Sequence, residues 1–223
     1  MDLDNFNLDI SSFNIIQTDK KDNENNIDND EKQPDAICVK LESKHLYRRL
    51  ISERQLEMLV EWEFQKGASY HFLSQGDIDS FSFLKLIMRQ QRIDYLIAST
   101  WCMATADVNE FEYYYKIDRI KKMDFYVGEI FPNTYSNVYF KLKELIKKCE
   151  GRIAVFRNHS KIFIGFGEKF NFVIESSANI NTNPRTENTC ITLDDKLAIY
   201  YKEYFDNIIA FNKDFNHWKP TDI

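Results

Sequence analysis

Apolar residues recur along the chain at two spacings, one helical and one alternating. Ser52-Glu-Arg-Gln55 reads as a capping box, with Leu56, Leu59, Val60 and Trp62 to Phe64 following at helical spacing and Gly67 ending the helix. Tyr70 to Leu73 is a short strand. Asp77 or Asp79 starts a second helix through Phe81, Phe83, Leu84, Leu86 and Ile87. Tyr95 to Trp101 reads as a buried strand, 107–115 as helix and 124–128 as strand. Tyr135 to Cys149 is an amphipathic helix that turns Val138, Leu142, Leu145 and Ile146 inward, with Gly151 closing it. Three strands follow at 152–156, 161–165 and 170–175, then a polar loop from Asn179 to Asn188 and a last long helix from Asp194 to Phe211. Strands alternating with helices predict an α/β fold, an α-β-α sandwich with a mixed central sheet. No internal repeat is visible, so the chain carries one copy of its unit.

The first 36 residues break this pattern. They are rich in Asp and Asn, and from Asp19 to Asp35 almost wholly polar, which predicts a disordered acidic tail at 1–36 ahead of a folded domain at 37–223. The tail's first part carries Phe6, Leu8, Ile10, Phe13, Ile15 and Ile16. These read either as a docking segment for a protein partner or as an ordinary, partly apolar tail. The tail also distorts the net charge of −6: ten acids and three lysines put −7 in residues 1–36, so 37–223 total +1. A nearly neutral domain neither announces nor excludes a polyanionic substrate.

Other classes are easier to set aside. No apolar stretch has the length of a membrane span. Met1 to Asn14 is acidic and lacks a basic region followed by an apolar run, so no secretory leader is expected. Cys38, Cys102, Cys149 and Cys190 are widely spaced, which suits reduced thiols in a cytoplasmic protein and no zinc site.

The chemistry concentrates in Arg157-Asn-His-Ser-Lys161, Ile174-Glu-Ser-Ser-Ala-Asn179 and Arg185-Thr-Glu-Asn188. His159 and Lys161 stand two apart at the start of a strand, and Ser177 and Asn179 repeat that spacing at the end of the next. Neighbouring strands would then bring an imidazole, an ammonium, a hydroxyl and an amide to one spot. Such a set suits a phosphate: lysine supplies charge, Ser and Asn supply directed hydrogen bonds, and histidine can attack phosphorus or protonate a leaving oxygen.

These residues resemble the HxK…GSxN pattern of the phospholipase D superfamily, especially its small single-motif nucleases. His159-Ser-Lys161 matches HxK, and Ser176-Ser-Ala-Asn179 matches GSxN with serine in the glycine position. Glu187-Asn188 matches the downstream Glu-Asn of those nucleases, and the likeness spans roughly residues 75–210. One departure stands out: the family's aspartate, five residues after the lysine, is Phe166 here. The resemblance implies a phospholipase D-like sandwich and metal-independent, cofactor-free phosphodiester cleavage through a phosphohistidine. His159 would be the nucleophile, Lys161, Asn179 and Ser177 would hold the phosphate oxygens, and Glu187 would fix the imidazole tautomer. Arg157 and Arg185 flank the motif as candidate substrate contacts. Two histidines are needed and one HxK is present, so a homodimer with a composite site is implied.

Three readings compete: a nuclease on DNA or RNA; an inactive or weak nucleic-acid-binding or virion protein, favoured by the lost aspartate and the acidic tail; and a phospholipid hydrolase or transferase, disfavoured for want of a secretion signal and an exposed amphipathic membrane helix. Frequent Asn, Ile and Lys hint at an AT-rich phage or mobile element, in which case the location could be the virion. Plainer roles suit the rest. His45 and His217 read as surface residues, His71 as a partly buried strand residue, and Trp101 and Cys102 as packing, with substrate stacking as the sharper alternative for the latter two. Lys40, Lys44, Arg48 and Arg49 read as a solvated basic face, the alternative being phosphate-backbone contact. Lys147 and Lys148 complement a helix dipole.

Overall fold

The computed structural model describes residues 44–75, 78–181 and 185–223, of which 49–223 form one compact unit. The acidic tail, with its candidate docking segment, lies outside the described residues. Helices α1 (Lys44–Leu59), α2 (Ser80–Gln90), α3 (Thr105–Lys116), α4 (Phe131–Thr134), α5 (Ser136–Lys148) and α6 (Asp195–Asp206) accompany seven strands. These are β1 (Ser69–Gln75), β2 (Ile93–Thr100), β3 (Ile120–Gly128), β4 (Ile153–Phe156), β5 (Ile162–Gly167), β6 (Asn171–Ser176) and β7 (Thr186–Thr192). They form one sheet in the order β1-β7-β6-β5-β2-β3-β4. β2, β3 and β4 run parallel, and every other pairing is antiparallel.

Alternation along the strands builds two cores. Leu96 and Ala98 of β2, Phe163 of β5 and Phe172 and Ile174 of β6 face α2, α3 and α5. Their neighbours Tyr95, Ile97, Ile164, Phe166 and Val173 face Ala198 and Phe205 of α6. The result is the expected α-β-α sandwich with a mixed sheet. No helix among the described residues is long and apolar enough to cross a membrane.

Several local expectations are corrected. α1 begins well before Ser52, which is buried within it, while Leu59 is exposed and Trp62 to Phe64 lie beyond its end. Gly67 (φ +80°) turns the chain into β1 rather than capping that helix. His71 lies exposed on the edge strand β1. The loop expected up to Asn188 gives way at Thr186 to β7, and the last helix stops at Asp206. Beyond α5 the left-handed position is Glu150 (φ +53°). Gly151 is required for a different reason: a Cβ there would fall 1.8 Å from the Met123 carbonyl oxygen.

Arg49 is not part of a solvated basic face. It is 2% exposed, and it pairs with Asp107 at 2.6 Å, Glu53 at 3.1 Å and Asp79 at 3.3 Å. Asp79 caps α2, its Oδ1 accepting from the Ser82 N–H at 2.9 Å. The segment after α6 covers the β4 edge: Asn212 accepts from Val155 N–H and donates to the Ile153 carbonyl, both at 2.9 Å. Trp218 Nε1 then donates to buried Asp124 at 3.0 Å, with the Arg152 guanidinium 3.6 Å over its ring.

Candidate phosphate site at the carboxyl ends of the parallel strands

β5 pairs with both β2 and β6, so the start of β5 lies beside the ends of both neighbours, Ile162 opposite Ser99 and Glu175. This is also the end of the sheet where parallel β2, β3 and β4 finish, the usual place for ligands in open α/β sheets. His159 and Lys161 sit in the loop just ahead of β5, and Ser177 and Asn179 just after β6. The Ser176 N–H donates to the Lys161 carbonyl at 3.0 Å and so joins the two segments.

The loop that carries His159 is held from beneath by Asn158, a buried residue the sequence reading passed over. Its Nδ2 donates to Ser99 Oγ and to the Tyr126 carbonyl, both at 2.9 Å. Its Oδ1 accepts from the Ser160 N–H at 3.0 Å and from Ser160 Oγ at 2.7 Å. All of the Asn158 amide's strong hydrogen-bonding capacity is thus spent on fixing the loop to β2 and β3. The imidazole of His159 packs 5.4 Å from the Trp101 ring. Gly128 permits this approach, since a Cβ there would lie 3.0 Å from the indole.

Lys161 folds back on the loop. Its Nζ donates to the His159 carbonyl at 2.7 Å and lies 3.3 Å from His159 Nδ1. Partial burial holds its pKa below the ordinary lysine value, while the Cys102 and Glu187 charges oppose that shift. Ser177 Oγ donates to Glu187 Oε2 and accepts from the Asn188 N–H at 3.0 Å, tying the loop after β6 to β7. Glu187 therefore serves Ser177 in this arrangement, and the His159 Nδ1 contact belongs to Lys161. Asn179 Oδ1 is buried with no partner, a polar atom left unspent.

His159, Lys161, Ser176, Ser177 and Glu175 line one open pocket of about 420 Å³. Asn179 and Glu187 stand next to this lining rather than in it, and Arg157 and Arg185 are exposed outside it. Phe166, in the aspartate position, is buried in the α6-facing core, stacked on Tyr95 with ring centroids 6.0 Å apart. Sequence reasoning had one signal for Glu175, the alternation of β6, and none for Asn158 beyond its place in the motif.

The site thus defines a class: an α/β sandwich with an imidazole, an ammonium and a hydroxyl gathered at the carboxyl end of its sheet. No protein-family model matches the chain, and no curated protein matches it. Among solved structures it is similar to a polyphosphate kinase from Porphyromonas gingivalis, with a TM-score of 0.47 and 13% identity over 61% of this chain. The chain spans 25% of that protein's length.

Proposed function

We propose that the chain is a metal-independent phosphodiesterase, a nuclease of the single-motif phospholipase D type. One observation carries the reading: His159, Lys161 and Ser177, drawn from two separate segments, line the same open pocket. In the reaction, His159 attacks phosphorus and forms an N–P bond as the ester P–O bond breaks. The leaving alcohol takes a proton from His159 of a second copy. That second imidazole then removes a proton from water, which attacks phosphorus, breaks the N–P bond and frees His159. Lys161 neutralises charge on the non-bridging oxygens, with Ser177 and the amide of Asn179 as further ligands. The Lys161 ammonium, which can only donate, lies 3.3 Å from His159 Nδ1.

Incubating supercoiled DNA, single-stranded DNA and RNA with wild type and His159→Ala tests this. Cleavage of at least one by wild type alone is expected; equal cleavage by both proteins overturns it. The second reading is a protein that binds nucleic acid without turnover, and it is favoured by Phe166. The side chain in the aspartate position supports the α6 face instead of the site. Binding in the same assay without cleavage is the result it requires.

A further inference from the structure

A carboxylate in a pocket for an anion is a cost unless something uses it. Glu175 is such a group. It lines the same pocket as His159 and Lys161, and β6 alternation places it on the α6 side with Val173. There the Tyr201 hydroxyl donates to Glu175 Oε1 at 2.5 Å. An ionised carboxylate accepts about four hydrogen bonds, and among the described residues this one engages only Tyr201. The side chain is therefore held in one position with acceptor capacity to spare, beside a site for phosphate oxygens.

We infer that Glu175 accepts a hydrogen bond from a hydroxyl adjacent to the bound phosphate, which makes the substrate class a ribose-type phosphodiester, RNA rather than DNA. This rests on the phosphodiesterase reading of the pocket. A phosphate alone gains nothing from Glu175 and is repelled by it. An ammonium group could also use the carboxylate but would meet the Lys161 charge in the same pocket. A hydroxyl satisfies the acceptor without that repulsion, and its loss leaves the half-buried carboxylate without that partner, which is how a polar site discriminates against an analogue.

Equilibrium binding tests it without turnover. Uridine 3′-phosphate, 2′-deoxyuridine 3′-phosphate, phosphoethanolamine and inorganic phosphate are titrated into wild type, Glu175→Ala and Tyr201→Phe. Wild type should bind the ribonucleotide roughly tenfold more tightly than the deoxy form, the size expected for a hydrogen bond to a charged group. Glu175→Ala should bring that ratio close to one while inorganic phosphate binds more tightly. Tyr201→Phe should keep the preference, since the carboxylate remains. Equal affinity of wild type for the two nucleotides, or a preference that survives Glu175→Ala, overturns the inference even if phosphate binds. Tighter binding of phosphoethanolamine than of the ribonucleotide overturns it in favour of an amine. Failure of all four to bind removes the phosphate site itself, and this inference with it.

Discussion

At the scale of single residues, the site depends on groups that never meet a substrate. Asn158 engages two strands and the Ser160 backbone through one amide, so the position of His159 is fixed from below. Replacing it with alanine leaves the Ser160 N–H without its partner and takes one hydrogen bond each from buried Ser99 Oγ and the Tyr126 carbonyl. Asn158→Ala should cost about 1–3 kcal/mol of stability, read from denaturant midpoints, and should weaken phosphate binding at the loop it releases. An unchanged midpoint with unchanged phosphate affinity would show that the loop holds itself. The sequence made His159, Lys161 and Ser177 legible because strand alternation and motif spacing brought them together. It leaves Asn158 unmarked and marks Glu175 only by the alternation of β6, because their roles come from partners far away in the chain, Ser99 and Tyr201. Arg49 reads as solvated in the sequence for the same reason: its partners Asp79 and Asp107 lie 30 and 58 residues further along.

At the scale of elements, strands with strong apolar alternation were readable and β7 was not. Thr186–Thr192 is polar along most of its length, and only its hydrogen bonds to β1 and β6 make it a strand. Reading Ser52-Glu-Arg-Gln55 as a capping box starts α1 too late, since Leu46, Tyr47, Leu50 and Ile51 already stand at helical spacing. The junction of α1, α2 and α3 is also where pH should act. Burial raises the Asp79 carboxyl from 3.8 to about 7; Arg49 opposes the shift and Asp107 adds to it. Between those values the folded protein keeps a proton that the unfolded chain has lost, so this group's contribution to stability falls as pH rises. Asn at this position keeps the cap acceptor and cannot ionise. The melting temperature of Asp79→Asn, relative to wild type, should therefore climb as pH is raised from about 4 to about 7. A difference that stays constant across that window would mean Asp79 does not titrate there.

At the scale of the whole molecule, each chain carries a single His159-Ser-Lys161 motif. The proposed chemistry needs two histidines, one to attack and one to protonate, and under that proposal two copies would place their His159 loops together across a two-fold axis. Each copy brings a Lys161, and the two charges repel unless an anion lies between them. Phosphate should therefore strengthen the dimer, measured by sedimentation with and without it; a monomer that cleaves phosphodiesters under all conditions would end the composite site. The central claim is narrower, that His159 is the nucleophile. It is tested most directly by acid-free quenching during turnover of bis(p-nitrophenyl) phosphate, followed by peptide mass spectrometry. The expected result is a phosphoryl adduct on His159 that is lost on acid treatment and absent from His159→Ala. Turnover that proceeds in His159→Ala, or an adduct carried by any other residue, would contradict it.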